Sequence, residues 1–226
     1  MSPMTKLLIA TAAFLATHYL SSTPLRARLI NALGNNGYLV LYSAAAVATL
    51  VAMIWAYYRA PFIGLWYVPA LRYVPLMVMP VSMALIACSL MTPSPTLVGG
   101  DRLLKNEEPA RGILRITRHP MMWGIALWAA SHIFARGDAA SLIFFGGFLV
   151  LALSGTALID RRKRTTTGTD WQRFERATSN VPFAAIAGGR NQLKLAEIGW
   201  IRLLVGIALY VVMLMLHSYI LGARPY

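Results

Sequence analysis

The sequence predicts an all-α membrane protein, a single multi-pass bundle of about six transmembrane helices over residues 1–226. Hydrophobic residues make up 58% of the chain and charged residues only 13%, which is about half the charged share of soluble domains. The apolar residues fall in six runs, each near the ~20 residues needed to cross a bilayer. The basic residues lie between these runs, so the net charge of +13 indicates membrane topology rather than nucleic-acid binding.

The predicted spans follow these apolar runs in chain order. The first run is interpreted as a span rather than a signal peptide, because no clear cleavage motif follows it. The third contains three prolines, which predicts a kinked helix packed inside the bundle. The fourth begins at His119-Pro120, since proline fits the first turn of a helix. The spans are Leu7–Leu20, Tyr38–Tyr58, Val68–Met91, His119–Ala135, Ala140–Ile159 and Gly199–Leu221.

The polar segments give the predicted orientation. Pro24–Leu33 is predicted to be a short amphipathic segment before a turn at Gly34–Gly37, and Thr92–Arg118 and Asp160–Glu197 are predicted to be polar loops. Fifteen of the 21 Lys and Arg residues fall in the first, third and fifth loops, and Arg202 follows just after the fifth, which makes 16 on one side. These loops are therefore expected in the cytoplasm, with both termini outside. The basic run Arg161–Arg164 is interpreted as a topology signal in contact with anionic lipid, with binding of an acidic ligand as the alternative.

Four histidines are the main candidates for chemistry, because ionisable groups within spans are usually functional. Imidazole is a common metal and haem-iron ligand. Alternatively, each ring is a helix-end histidine bonded to a carbonyl or to headgroup water. The predicted depths pair His18 with His119, and His132 with His217.

The fourth span also carries a stripe at helical spacing formed by Met121, Ile125, Trp128 and His132. This stripe is either core packing or one wall of a planar-cofactor pocket with His132 as ligand. Its tryptophan could equally be an interfacial anchor. No C-x-x-C, G-x-S-x-G, G-x-G-x-x-G or phosphate-loop motif occurs.

Several motifs together resemble the NnrU family of bacterial inner-membrane proteins, which are associated with denitrification and nitrogen-oxide metabolism. They are His18 with the following SSTPLR, RITRHPMMWG (Arg115–Gly124), LWAASH (Leu127–His132) and TSNVPFAAIAGGR (Thr178–Arg190). The family is also similar to the zeta-carotene isomerases, haem b enzymes that isomerise a cis double bond when the iron is reduced.

This resemblance implies haem b with His18 and His132 as axial ligands, and possible cis–trans isomerase-like activity on an unknown substrate. His119, His217, Arg118 and Trp128 are further candidates for contact with the cofactor. The partners it implies are the lipid bilayer and nitrogen-oxide reductase or electron-transfer components. The isomerases have a cysteine three residues before the second ligand, where this chain has Ala129. The resemblance therefore does not extend to ligand exchange through that residue.

A second resemblance supplies an alternative function. Arg118-His119-Pro120 with Gly124, followed later by Trp171–Arg176, is similar to membrane methyltransferases of the isoprenylcysteine type. It implies that Arg118, His119 and Trp171 hold S-adenosylmethionine at the cytoplasmic face. Met122 replaces the usual tyrosine of that motif. A third hypothesis is a non-enzymatic membrane factor that assists assembly of nitrogen-oxide reductases.

Overall fold

The protein is described by a computed structural model over residues 1–97 and 99–222. Within these residues, the chain outside turns and loops is helical apart from one isolated bridge between Gly64 and Asp138. The all-α prediction is therefore confirmed. The α-helices are α1 (Pro3–Leu20), α2 (Leu25–Arg59), α3 (Val74–Met91), α4 (Pro120–Arg136), α5 (Ala139–Ala177), α6 (Ala184–Ala187), α7 (Leu195–Ile198) and α8 (Trp200–Leu221).

The six long helices pack as neighbours in the order α2, α1, α5, α4, α3, α8. The two middle helices, α5 and α4, therefore carry most of the interior. The end helices are the most exposed, and only 6% of the apolar window of α8 is buried. Their outward apolar side chains are suited to lipid, as expected for a bundle in a bilayer.

Four helices are long and apolar enough to cross a membrane: Leu25–Arg59, Pro69–Met91, Ala139–Ala177 and Trp200–Leu221. They identify a membrane protein, but the predicted number of six spans stays a prediction. Helix α1 carries Lys6 and His18 and is less apolar, and α4 has 17 residues, somewhat short of the usual span.

Several predicted boundaries are wrong. The turn predicted at Gly34–Gly37 is present as a sharp break at Gly34, whose φ of 71° favours glycine, but helix continues on both sides of it from Leu25 to Arg59. The predicted loop after Ile159 is helical as far as Ala177, with a break at Gly168. The third span begins as a 3₁₀ turn over Pro69–Tyr73 and becomes α-helical only at Val74.

Small residues allow close approach between neighbouring helices. The hydroxyl of Ser82 on α3 donates to the carbonyl oxygen of Gly124 on α4 at 2.7 Å. A β-carbon added at Gly206 of α8 would lie 2.6 Å from Cα of Ala84 on α3. Since the hydrophobic effect does not drive helices together in lipid, such backbone contacts provide much of the packing energy.

We expect Gly206→Ala to destabilise the contact between α3 and α8, because the added methyl group forces the two backbones apart. Overpacking of this kind costs about 1–3 kcal/mol. The measurement is thermal unfolding of the purified protein in mild detergent. Gly146→Ala is the matched control, since a β-carbon at Gly146 meets nothing within 4 Å. Equal melting temperatures for the two variants would refute the packing role.

Candidate functional site

The segment before α4 is fixed to α5 by a buried ion pair. Arg118 and Asp160 are 6% and 3% exposed. The Arg118 guanidinium donates to Oδ2 of Asp160 from Nε at 3.0 Å and from Nη2 at 2.6 Å. The other carboxylate oxygen, Oδ1, lies 2.7 Å from Nε2 of His119. One carboxylate thus holds both the arginine and the histidine of the R-H-P motif.

A second set of bonds ties the Thr178–Asn180 segment to the same place. The backbone nitrogen of Arg118 donates to the carbonyl oxygen of Ser179 at 2.9 Å. The carbonyl oxygen of Asn180 accepts from the Thr117 hydroxyl at 2.6 Å and from the Trp123 indole at 2.8 Å. The motifs RITRHP and TSNVPF, which are distant in sequence, therefore form one structural unit.

Arg115 makes a separate ion pair with Glu197. The distances to the Glu197 carboxylate are 2.8 Å from Nε and 3.0 Å from Nη2. The Arg115 guanidinium, with the backbone N–H of Gly112, lowers the pKa of Glu197 to about 2. Both arginines of RITRHP are thus engaged by carboxylates of the protein itself.

These contacts weaken the methyltransferase hypothesis. The guanidinium of Arg118 and the ring of His119 are bound within the protein. Trp171 is fully buried in a cluster with Phe174, Leu104 and Leu114. No observation therefore places these three side chains around an open cofactor site.

His18 and His132 lie at two ends of a different structure, an aromatic core. We use this name for the clustered rings of Phe14, Tyr57, Trp128, Phe144, Phe145 and Phe148. The ring of His18 is 4.3 Å from that of Phe14, between centroids. The ring of His132 stacks on Phe145 at 5.1 Å and lies 5.7 Å from Trp128. Between the two ends, Phe148 contacts Phe14 at 5.1 Å and Trp128 at 5.0 Å.

The two imidazoles have the same local arrangement. Nδ1 of His18 lies 2.8 Å from the carbonyl oxygen of Phe14, and Nδ1 of His132 lies 2.8 Å from that of Trp128. Each ring therefore donates from Nδ1 to the carbonyl four residues earlier. Within the described residues, neither Nε2 atom has a hydrogen-bond partner. A ring held in this way presents the Nε2 lone pair to a ligand, as in metal-binding histidines whose other nitrogen donates a hydrogen bond.

Helix direction makes the two rings lean toward each other. Helix α1 runs parallel to α5, because Thr11 packs against Gly147 and Tyr19 bonds Ser154 further along. Helix α4 runs antiparallel to α5, since its last turn meets Ser141 through Arg136 and its first turn lies near Gly155.

Side chains on a helix lean toward its N-terminus. His18 and His132 therefore lean in opposite directions and converge on the level of Phe148. This convergence reduces the difference in depth that their positions along the spans predict, while the rings of Phe148 and Trp128 still lie between them.

The other candidates occupy different positions. Trp128 belongs to the aromatic core, as the predicted stripe on the fourth span requires. His217 on α8 interacts electrostatically with His132. Ala129 is fully buried beside the core. Among the described residues, no three His, Cys, Asp or Glu side chains form a group that could bind a metal ion by themselves.

Sequence reasoning did not identify Asp160 or the phenylalanines of α5 as site residues. Asp160 is an acid among few in a basic chain, at the end of an apolar run, which is a signal for a buried ion pair. Phe145 and Phe148 are three residues apart on α5, so they fall on one helical face toward α4. Their partners are far away in sequence and could not be assigned without the fold.

The long apolar helices define an integral membrane protein. Its candidate ligand site lies between α1, α4 and α5, where Nε2 of His18 and Nε2 of His132 have no partner among the described residues. A family profile described as "NnrU protein" matches residues 6–225. The chain therefore belongs to the NnrU family.

Similarity to characterised proteins is confined to part of the chain. It is 38% identical over 82 residues to the chloroplastic 15-cis-zeta-carotene isomerase of Arabidopsis thaliana. It is 37% identical over 82 residues to the enzyme of the same name from Zea mays. Each match covers 36% of this chain and 22% of the relative's length. No solved structure is significantly similar.

We expect Asp160→Asn to destabilise the protein, because it removes the buried counter-charge of the Arg118 guanidinium and leaves only the more exposed Glu175, whose Oε1 lies 3.2 Å from Nη2. Breaking one partner of a buried ion pair costs about 3–5 kcal/mol. Denaturant or thermal unfolding in detergent measures the change. Asp170→Asn on the same helix is the control, as Asp170 forms no ion pair within the described residues. If Asp160→Asn lowers the stability no more than Asp170→Asn does, the ion pair has no stabilising role.

Acid should weaken the Arg115–Glu197 pair. The pKa of Glu197 is lowered from 4.5 to about 2 in the folded protein. Its contribution to stability is therefore complete above pH 4.5 and is lost as the pH falls from there toward 2. We expect Glu197→Gln to flatten the decline in melting temperature over that interval, whereas Glu107→Gln at an exposed position leaves it unchanged. An unaltered pH profile in Glu197→Gln would contradict this assignment.

Proposed function

We propose that this NnrU-family protein binds haem b through His18 and His132 and has cis–trans isomerase-like activity on an apolar unsaturated substrate. The observation that carries the proposal is the shared arrangement of the two rings. Each donates from Nδ1 to a carbonyl one turn earlier and leaves Nε2 for iron. The names of the plant relatives support the reaction class, since they are isomerases of a cis polyene.

The donor set fits a haem better than a bare metal ion. Two imidazoles are too few ligands for a structural metal site, which usually has four. A porphyrin brings four nitrogens of its own, so that two imidazoles, those of His18 and His132, would be enough protein ligands to hold it. Bound haem would supply a redox-active iron in an apolar interior.

The chain's own residues would position such a group. The carbonyl oxygens of Phe14 and Trp128 fix the orientation of the two imidazoles. The rings of Phe148 and Trp128 lie between the two imidazoles, so they would have to turn aside for one iron to reach both Nε2 atoms, and would then flank the bound group with apolar surface. The ion pair of Arg118 with Asp160 fixes α4 against α5, and with it the height of His132 relative to His18.

The biological setting follows from the family resemblance. We propose that the protein resides in a bacterial inner membrane, as a multi-pass protein linked to denitrification or nitrogen-oxide metabolism. Nitrogen-oxide reductases or electron-transfer proteins are the partners that this setting implies. The many basic residues of the first, third and fifth loops favour a cytoplasmic position for these loops.

The visible absorption spectrum of the protein, purified from cells supplied with a haem precursor, tests the cofactor. We expect a Soret band that His18→Ala and His132→Ala each reduce by more than about tenfold, since even outer-shell partners of a metal change affinity by about 10- to 100-fold. Added imidazole should restore part of the band by replacing the missing ring. His119→Ala should reduce the band less than His132→Ala, because the His119 ring is bound to Asp160.

Two other results would overturn this assignment in different ways. If His217→Ala removes the band and His18→Ala does not, the iron is held by the pair of histidines on α4 and α8. If the purified protein is colourless and takes up no haem in a spectral titration, the haem proposal is wrong. A colourless protein that also fails to bind S-adenosylmethionine would leave the assembly-factor hypothesis.

A further inference from the structure

A buried tyrosine hydroxyl without a partner lies in α2, beyond the His18 end of the aromatic core. Tyr38 is 3% exposed, and no described group forms a hydrogen bond with its hydroxyl. A buried polar group in this state costs about 1–3 kcal/mol. Such an atom therefore indicates a bonding partner from outside the chain.

Aromatic contacts connect this tyrosine to His18. The ring of Tyr38 stacks on that of Tyr42 at 5.8 Å. The ring of Tyr42 in turn lies edge-on to His18 at 6.2 Å. On the other side, the guanidinium carbon of Arg26 lies 5.5 Å from the centroid of Tyr38.

A second arginine, on α5, interacts with the same group of residues. The half-buried Arg162 interacts electrostatically with Arg26, Tyr38 and Tyr42. Two guanidinium groups thus lie within electrostatic range of the same tyrosines and of each other, although like charges repel, and that of Arg26 is over the Tyr38 ring. Asp101, which also interacts with Arg162, is already bound by Lys163.

These two arginines differ from the others in the interior. Arg115 and Arg118 each bind a carboxylate at hydrogen-bond distance. Within the described residues, neither Arg26 nor Arg162 has an ion pair or a side-chain hydrogen bond. An anion between them would remove their repulsion and would accept hydrogen bonds from both, and guanidinium groups match oxyanions in this way.

We propose that Arg26, Arg162 and the hydroxyl of Tyr38 form a binding site for one oxyanion, a phosphate or a carboxylate. A phosphate would come from an anionic lipid of the cytoplasmic leaflet, where basic residues collect. A carboxylate would belong to the molecule that His18 binds, and this second source rests on the haem proposal. In the first case the site binds a lipid headgroup next to the aromatic core. In the second it binds the edge of a ligand that also contacts this core.

The test uses Arg26→Gln, Arg162→Gln and Tyr38→Phe in the full-length protein. Tyr38→Phe removes one oxygen atom and keeps the ring, so it tests the site even if an arginine variant folds poorly. Arg28→Gln and Arg161→Gln are the controls, because these arginines lie on the same helices and are exposed. Melting temperatures establish that each variant is folded.

Two probes distinguish the sources. Native mass spectrometry of delipidated protein measures binding of phosphatidylglycerol. A Soret titration compares haem with its dimethyl ester, which lacks free carboxylates. If the phosphate is lipid-borne, the arginine variants bind phosphatidylglycerol about tenfold more weakly than the controls. If the carboxylate belongs to haem, they bind haem about tenfold more weakly, while the ester binds all proteins alike.

The proposal is overturned if the three site variants equal the controls with both probes. Its failure is distinguishable from failure of the haem proposal. A protein that takes up no haem but loses phosphatidylglycerol in the site variants retains the oxyanion site without the cofactor.

Discussion

The carboxylate of Asp160 is the constraint on which the interior depends. A guanidinium buried without a counter-charge is very costly, and Arg118 is buried beside the carboxylates of Asp160 and Glu175. The Asp160 carboxylate also binds His119. This triple contact sets the start of α4 against the middle of α5. Trp128 and His132, two to three turns further along α4, then meet Phe145 and Phe148 at a fixed height.

The structure separates two kinds of basic residue. Arg115 and Arg118 are saturated by carboxylates and hold loops to helices. Arg26 and Arg162 interact electrostatically with each other and with a buried tyrosine, and have no such partners among residues 1–97 and 99–222. An arginine that is paired with a carboxylate stabilises the fold, whereas an arginine without such a partner is a candidate for binding a ligand. The same distinction applies to the histidines, because Nε2 of His119 is bound by Asp160 whereas Nε2 of His18 and of His132 has no partner in the part of the chain that the structure describes.

The sequence allowed the helical class and most helix positions to be predicted, because long apolar runs have few structural alternatives. It did not predict the extension of α5 beyond Ile159, since the basic residues that follow are typical of a loop at the membrane surface. They remain helical because Asp160, Lys163 and Trp171 are all buried against neighbouring segments. The break at Gly168 was equally hidden, as an isolated glycine within a polar stretch favours no particular geometry.

The candidate site was predicted in part. The histidines could be selected from the sequence because ionisable groups in apolar runs are rare. The relative position of their rings could not be predicted, because it depends on which helices run parallel to α5 and on the direction in which each side chain leans. Asp160 was visible as an acid, yet its partners are about forty residues earlier in the chain. Contacts of that separation are determined by the packing of helices, which local patterns do not encode.

The neighbour order of the helices has a consequence for biogenesis. Helices α1 and α2 can associate as soon as both have entered the membrane, but α1 and α4 are joined mainly through α5. The aromatic core is therefore incomplete until about two thirds of the chain has been synthesised. Any ligand that contacts both ends of this core has to be acquired late, after α5 has been inserted.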